Sequence, residues 1–311
     1  SEINELSYLP SVTFNYHLVE GKRVKDKVDT TRFNNRDMKI RFAYNKTLAR
    51  PSFREIAPYE VEDFVRKIVI TGNQDLIMTD IHNLDISWEL YPRSSEMITV
   101  SGFYKYFVNP MGLFNSPLAN IPTFIYQNLE YSTVYGVEFE FKKKLDVFGR
   151  SLKNFAFSAN MTLVKSVTPI PEEELAQIRQ TDPYRKETRP LAGQSPYLVN
   201  AGLEYKLKKS GISTNLVFNV FGDRLAVYSN DGRPDIYEKA RPELNWNLKK
   251  DITEKLSVRF RIKNILNPTF RWAYEYKGNN ADYDRLNQQE SNFTSYKKGV
   301  SFGVGLSYKF K

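Results

Sequence analysis

Few residues in this chain have the chemistry for catalysis or metal binding. The 311 residues include two histidines, His17 and His82, and no cysteine, so a His-dependent hydrolase or a Cys- or His-ligated metal site has few ways to form. Gly299, Gly303 and Gly305 share one parity of a strand and no helix follows them, which argues against a nucleotide-binding loop. His17 falls on the polar parity of a predicted strand and His82 at a predicted loop end, so solvated roles fit both. We therefore expect no enzyme activity, no cofactor and no metal site.

The net charge of +9 arises from 45 Lys and Arg residues against 36 Asp and Glu residues. These basic residues are spread mostly singly and are not gathered with stacking aromatic residues, so we expect no nucleic-acid partner. The chain is 14% aromatic, yet its mean hydropathy is −0.51, and it has no apolar run near the ~20 residues of a spanning helix. An aromatic-rich chain with hydrophilic average hydropathy indicates that apolar and polar residues alternate.

The C-terminal segment has this alternation in its clearest form. Val300, Phe302, Val304 and Leu306 occupy one parity and small or polar residues the other, which is typical of a strand with one apolar face. The same pattern recurs and predicts about eleven strands, many near the ~9–11 residues of a tilted transmembrane strand. Their centres lie near residues 15, 41, 87, 102, 138, 159, 202, 216, 246, 259 and 305.

The links between the predicted strands distinguish a membrane barrel from a soluble sandwich, which would also alternate. Long and short links follow each other in strict order: the long ones are 45–83, 108–122, 165–195, 226–241 and 277–296, and the short ones are 91–97, 143–153, 208–211 and 250–255. This order is typical of an up-and-down outer-membrane barrel with long external loops and short periplasmic turns. The link 20–37 is long and basic where a short turn is expected, so either it is an insertion or the first strand is misplaced.

A lipid-facing sheet of eleven strands cannot leave two open edges in hydrocarbon, because the unpaired backbone groups would cost several kcal/mol each. Bacterial single-chain barrels also have even strand numbers. Doubling eleven gives the ~22 strands of plugged outer-membrane transporters. The prediction is therefore an all-β, transmembrane, antiparallel up-and-down barrel. Residues 1–311 form the C-terminal half of its single barrel domain, and an N-terminal plug and the first barrel half lie outside this chain.

Charged residues on the polar parity are the candidates for lining the lumen or facing a plug, and generic solvation of the lumen explains them about as well. They are Lys39, Arg41, Asp85, Glu89, Lys105, Glu138, Glu140, Lys142, Glu204, Lys206, Arg259, Arg261 and Lys263.

The long link 165–195 contains Pro and three acidic residues in a row, which predicts a short helix over 171–180. The helix could form a lid over a ligand site, or it could be loop packing. The candidates for ligand or lid contacts in the external loops are Glu172, Glu173, Glu174, Arg179, Tyr184, Tyr237 and Trp272. Tyr and Trp residues near predicted strand ends, such as Tyr91, Tyr106, Tyr197 and Trp272, fit the aromatic belts of membrane barrels, although Tyr is also a good strand former.

Four segments carry a resemblance to a known family. They are 44–53 (YNKTLARPSF) with the following REIAPY, 72–76 (GNQDL) ahead of NLD at 83–85, 133–138 (TVYGVE) and 263–268 (KNILNP). In order and spacing they resemble barrel segments of the TonB-dependent outer-membrane receptors. Two departures are Gln74, where proline is usual, and Lys311 after Phe310, where the family usually ends on an aromatic residue.

The resemblance implies ligand-gated, TonB-energised uptake of a scarce solute across the outer membrane of a Gram-negative bacterium. The implied partners are the TonB complex, reached through the missing N-terminal part, a small solute such as a siderophore, oligosaccharide or peptide, a surface lipoprotein, and outer-membrane lipid. The plug and TonB box are not among these residues. The alternative is a non-energised porin or a surface-binding barrel; steady conductance across a planar bilayer would favour the porin.

Overall fold

The computed structural model describes residues 7–20, 36–116, 122–181, 183–229, 233–275 and 291–310. Nearly all of its regular structure is β-strand, and no helix in this part of the chain is long and apolar enough to cross a membrane. The elements, numbered in chain order, are β1 (Ser11–Val19), β2 (Asp37–Ala49), α1 (Phe53–Ile56), β3 (Glu60–Asp63), β4 (Ile68–Thr71), β5 (Thr79–Tyr91), β6 (Met97–Val108), β7 (Met111–Ser116), β8 (Thr123–Asn128), β9 (Tyr131–Lys144), β10 (Phe155–Pro169), α2 (Glu172–Thr181), β11 (Thr188–Arg189), β12 (Tyr197–Leu207), β13 (Ile212–Phe221), β14 (Arg224–Val227), β15 (Asp235–Glu238), β16 (Arg241–Asp251), β17 (Leu256–Lys263), β18 (Thr269–Glu275), β19 (Ser291–Lys297) and β20 (Ser301–Tyr308).

The main sheet contains the eleven strands that the alternation predicts. Their order is β1-β2-β5-β6-β9-β10-β12-β13-β16-β17-β20, and every neighbouring pair is antiparallel. Each of these strands pairs with the next long strand along the chain, so the predicted up-and-down, all-β architecture is confirmed. The two-residue strand β11 pairs with the end of β10.

The ladder register places every predicted polar-parity charge on one face of this sheet. Lys39 lies opposite Glu89, Glu89 opposite Thr99, Thr99 opposite Glu140, and Glu140 opposite Asn160. The series continues through asparagine pairs on β12, β13 and β16 to Arg261 on β17. Residues directly opposite in a ladder share a face, and so do residues two apart along a strand. All thirteen candidates therefore lie on what we call the polar face.

The opposite face is apolar and exposed. On β20, Phe302, Val304 and Leu306 are 75%, 71% and 75% exposed, and similar side chains continue across the sheet. Such a continuous apolar surface is unfavourable in water and suits contact with lipid. Tyr44 and His82 lie on this face, with the Tyr44 hydroxyl oxygen 3.0 Å from the Nδ1 atom of His82. His82 lies within β5 and not at a loop end as predicted.

The links alternate as predicted, with long links at 50–78, 109–130, 170–196, 222–240 and 264–300 and short ones at 92–96, 145–154, 208–211 and 252–255. Gly211 closes one short turn at φ 61°, and a Cβ there would lie 2.8 Å from the Cβ of Asp251, so only glycine fits. Strand β1 stands where it was predicted, which removes the suggestion that it was misplaced. Most of the exceptional basic link, 21–35, lies outside the described residues.

The long links contain further strands that the alternation did not predict. They supply two four-stranded sheets, β3-β4-β8-β7 and β14-β15-β18-β19, which we call the loop cap. The two sheets meet where β7 runs beside the end of β14, with Asn115 N donating to Tyr228 O at 2.9 Å and Tyr228 N donating to Leu113 O at 2.8 Å. Trp272 belongs to this cap and not to a strand end of the main sheet.

The loop cap contains a hydrophobic core. Ile68, Ile70 and Phe124 of one sheet pack with Val227 and Ile236 of the other. Phe124 and Ile68 are fully buried. Burying such side chains contributes roughly 1.5–3 kcal/mol each, so the long links form a folded unit whose stability comes from its own core.

Candidate functional site: the polar face and the loop cap

Glu89 is the centre of a polar cluster on β2 and β5. The Tyr91 hydroxyl donates to its carboxylate at 2.7 Å and the Ser87 hydroxyl at 3.3 Å, while Arg41 Nη2 lies 3.6 Å away. Tyr91 therefore faces the same side as Glu89 and not the apolar belt to which it was predicted to belong. Hydrogen-bond donors and a positive charge on the same face therefore hold the buried Glu89 carboxylate in place.

A row of side-chain amides crosses the middle of the polar face. Asn160 Nδ2 donates to Glu138 Oε1 at 3.1 Å, Asn200 Nδ2 donates to Asn160 Oδ1 at 2.6 Å, and Asn219 donates to Asn200. Asn160 and Asn200 each accept from one neighbour and donate to the other, so the row is oriented towards the Glu138 carboxylate. These three asparagines were not among the predicted site residues, because neutral amides do not stand out beside charged residues in the sequence.

The polar face becomes open and basic towards β20. Arg261 lies opposite Gly303 and Arg259 opposite Gly305, and no atom lies within 4 Å of where a Gly305 Cβ would stand. Lys263 lies opposite Ser301. Guanidinium groups beside residues without side chains leave room for another surface or a solute to approach the sheet.

A buried charge cluster ties α2 to the loop cap. Arg189 Nη1 lies 2.7 Å from Glu174 Oε1 and 3.6 Å from Asp235 Oδ1, and Arg185 forms an ion pair with the same Asp235. The Arg189 guanidinium also lies over the Tyr228 ring, 4.4 Å from its centroid. Burial raises the pKa of Glu174, and the positive charge of Arg189 opposes this effect.

The predicted helix is present as α2, and one of its faces is packed. Leu175 and Ile178 are buried with Ile170, while Arg179 donates to the carbonyl oxygen of Arg185 at 3.1 Å. Glu172 and Glu173 instead line a cavity of about 500 Å³, together with Gln127 of β8, Glu130 of the β8–β9 connection and other residues.

The other loop candidates are dispersed. Tyr184 is exposed, and the Trp272 ring lies under the Arg66 guanidinium at 4.4 Å. Tyr237 is 2% exposed and packs in a core cluster, and burial raises its pKa. Its enclosed side chain supports the fold of the cap, and its role in ligand contact stays a prediction. Arg185, Arg189 and Asp235 were missed, since single charges in unpatterned loops give no periodic signal.

The described residues contain no group of three or more His, Cys, Asp or Glu placed to hold a metal ion. The family model "TonB dependent receptor-like, beta-barrel" matches residues 3–265. The chain belongs to this family of TonB-dependent receptor barrels. It is therefore an outer-membrane protein of Gram-negative bacteria, and its main sheet is part of a transmembrane receptor barrel.

Solved structures of receptor barrels have the same fold at low sequence identity. The ferric enterobactin receptor PfeA from Pseudomonas aeruginosa, as a Q482A mutant with enterobactin, matches with a TM-score of 0.55 at 14% identity over 98% of this chain and 41% of its own. The siderophore receptor PirA from Acinetobacter baumannii matches with 0.57 at 12% over 98% and 41%. The copper transporter OprC matches with 0.56 at 11% over 96% and 39%.

This receptor barrel thus spans about two fifths of the length of the solved receptors it matches. No curated protein sequence matches the chain. The structural relatives named above are receptors and a transporter.

Proposed function

We propose that this receptor barrel is the C-terminal half of a TonB-energised importer, which binds a scarce solute with its loop cap and passes it through a plugged lumen. The observation that carries the proposal is the structural difference between the long-link end and the short-link end of the main sheet. The long-link end is a folded cap with its own core, whereas the described short links contain at most short 3-10 turns.

The polar face supports a role as the lumen wall. It carries mixed charges and an oriented row of amides, while the opposite face is a continuous apolar surface. In a membrane barrel with a hydrated interior, the face that carries charges lies inside. We propose that the thirteen polar-face charges line this lumen and that some of them contact a plug.

The edges of the main sheet support the proposed domain arrangement. Within the described residues, β1 and β20 each pair with a single neighbour in that sheet, and an open edge in hydrocarbon is costly. Residues 1–311 are accordingly proposed as one half of a single barrel, with the other half and the plug supplied by sequence beyond this chain.

The test uses the whole gene product in an outer-membrane host that lacks its own siderophore receptors. Iron-labelled enterobactin, labelled oligosaccharides and labelled peptides are offered with and without a protonophore, because TonB-driven transport needs the proton gradient. Uptake of one class that stops with the protonophore supports the proposal. Uptake that continues, together with steady conductance in a planar bilayer, would instead identify a porin.

A further inference from the structure

Six lysines surround one cavity at the short-link end of the main sheet. The cavity has a volume of about 610 Å³, within the size range of small-molecule sites. Its lysines come from β9, β12 and the turns beside them, and they are Lys142, Lys144, Lys153, Lys206, Lys208 and Lys209.

The ladder register gives this cavity the form of a trough. Lys142 lies opposite Ser158, which lies opposite Gly202, and Lys144 lies opposite Ala156. Ala156 of β10 lies on the floor, and the long lysines of β9 rise beside it. Lys206 stands at the far side, where its backbone N–H donates to Asn154 O at 2.9 Å. We call this feature the lysine trough.

The positive charge of the lysine trough is little compensated. Among the described residues that line it, Glu204 is the one carboxylate. The nearby Glu96 is engaged elsewhere: it accepts from Lys143 at 3.0 Å and forms an ion pair with Arg93. Lys143 alternates onto the apolar-face side of β9, whereas Lys142 and Lys144 line the trough.

We propose that the lysine trough binds a polyanion, a solute with two or more carboxylate or phosphate groups. The inference rests on the proposed function, because it makes the trough an anion-binding station on the lumen wall of an importer. Several ammonium groups around a small floor suit such a solute, since each lysine acts as a mobile point charge that can reach a separate anionic group.

The position of the trough favours a free solute over a lipid headgroup as the source of these anionic groups. The trough shares the polar face with Glu138 and Asn160, whereas lipid would contact the face of Phe141 and Phe157. On that second face the basic group of β9 is Lys143, which Glu96 already neutralises.

The experiment uses the whole receptor in detergent, with pyrophosphate and citrate as separate probes and sodium chloride at matched ionic strength as the blank. Isothermal titration calorimetry is expected to detect binding to the native receptor. The triple variant Lys142→Gln, Lys144→Gln, Lys206→Gln should lose about tenfold or more in affinity at low salt, because three attractive charges are removed. The matched variant Lys143→Gln, one residue away on the other face, should bind as the native protein does.

Lysine acylation read by mass spectrometry keeps the test valid if the triple variant does not fold. In the native receptor, pyrophosphate should protect Lys144 and Lys206 and leave the labelling of Lys143 unchanged. Absence of binding, or equal losses in the triple variant and Lys143→Gln, would overturn the inference. Protection that requires anionic phosphatidylglycerol in nanodiscs, and that pyrophosphate does not produce, would overturn it in favour of a headgroup.

The two proposals fail separately. Calorimetry needs no energy source, so pyrophosphate binding without protonophore-sensitive uptake would contradict the importer and leave the anion site in place. Energised uptake with no polyanion binding would contradict the lysine trough alone.

Discussion

Asn160 donates a hydrogen bond from Nδ2 to Glu138 Oε1 across the β9–β10 ladder, at 3.1 Å. The same amide accepts from Asn200 at 2.6 Å, so a single side chain connects a carboxylate on one strand to an amide on the other neighbour. A carboxylate that faces a protein-lined interior depends on such donors, since an unsatisfied charged group is costly there.

Replacement of Asn160 should therefore weaken the barrel. Asn160→Leu keeps the branched shape and the number of heavy atoms but removes the donor to Glu138 and the acceptor for Asn200, and we expect a loss of about 1–3 kcal/mol in the free energy of unfolding. Thermal unfolding of the whole receptor in detergent measures it. Met161→Leu, the next residue on the apolar face, is the control and should change stability little; equal effects would contradict the role of the amide row.

The carboxylates of Glu96 and Asp146 join two short turns through Arg93. Glu96 is 1% exposed, and Arg93 Nη2 lies 2.7 Å from Asp146 Oδ1. Burial alone would raise the pKa of Glu96, but its hydrogen bonds with Arg93 and Lys143 outweigh burial and lower it. The hydrogen bond from Arg93 lowers the pKa of Asp146.

These lowered pKa values predict acid sensitivity. A carboxyl group with a lower pKa in the folded state stabilises the fold above its unfolded pKa, and that stability is lost as the pH falls through the folded value. Here the loss should begin below the ordinary values of 4.5 for Glu96 and 3.8 for Asp146. The melting temperature, followed from pH 7 to pH 3, should fall less steeply in Glu96→Gln than in the native receptor.

Glu254→Gln serves as the control for this pH dependence, because Glu254 is exposed in another short turn. Glu96→Gln should also lower stability at neutral pH, by about 2–4 kcal/mol, since it leaves Arg93 and Lys143 without the charge they share. A pH profile of Glu96→Gln that overlays the native one would contradict the prediction.

Arg189 should control how firmly α2 is held. It contacts Glu174 on α2 and Asp235 on β15, so Arg189→Met removes the charge that both carboxylates face while retaining much of the apolar stem. Hydrogen exchange should accelerate in α2, residues 172–181, because the helix loses its connection to the cap. Glu173→Gln, on the exposed side of the same helix, should leave exchange unchanged. Unchanged exchange in Arg189→Met would mean that apolar packing alone holds the helix.

The orientation of the polar face can be tested with two adjacent residues of β17. Arg261→Cys and Phe260→Cys are introduced into the whole receptor in a cysteine-free background. We expect a charged maleimide to label position 261, on the hydrated side, and a membrane-soluble maleimide to label position 260, on the lipid side. Reversed labelling would contradict the proposal that the polar face lines the lumen.

The main sheet could be predicted because the alternation that defines each strand is a local property of the sequence. A strand between lipid and water must alternate, and a residue such as Phe302 or Arg261 reveals its face by parity alone. Single hairpin links make the strand order follow the chain order. The eleven strands and the shared face of the thirteen charges therefore follow from pattern.

The loop cap was not predictable in this way. Phe124 and Val227 are 103 positions apart and pack in one core, and strands such as β14 (Arg224–Val227) are too short to establish a period. Likewise, the partners of Arg189 are defined by tertiary packing, so no spacing in the sequence indicates that Glu174 and Asp235 meet at one guanidinium.

If the loop cap is a separate packing unit, a cavity in its core should unfold the cap and spare the barrel. Phe124 is fully buried among side chains of both cap sheets, and Phe124→Ala is expected to cost about 3–5 kcal/mol locally. The main sheet depends on its own ladders and on lipid, so the heat-dependent gel mobility typical of folded barrels should persist in this variant. Limited proteolysis should cut within the cap hairpins instead. Phe260→Ala, on the lipid face of the main sheet, is the control, and we expect it to produce no new cleavage in the cap. Loss of barrel mobility in Phe124→Ala would mean that cap and barrel unfold as one cooperative unit.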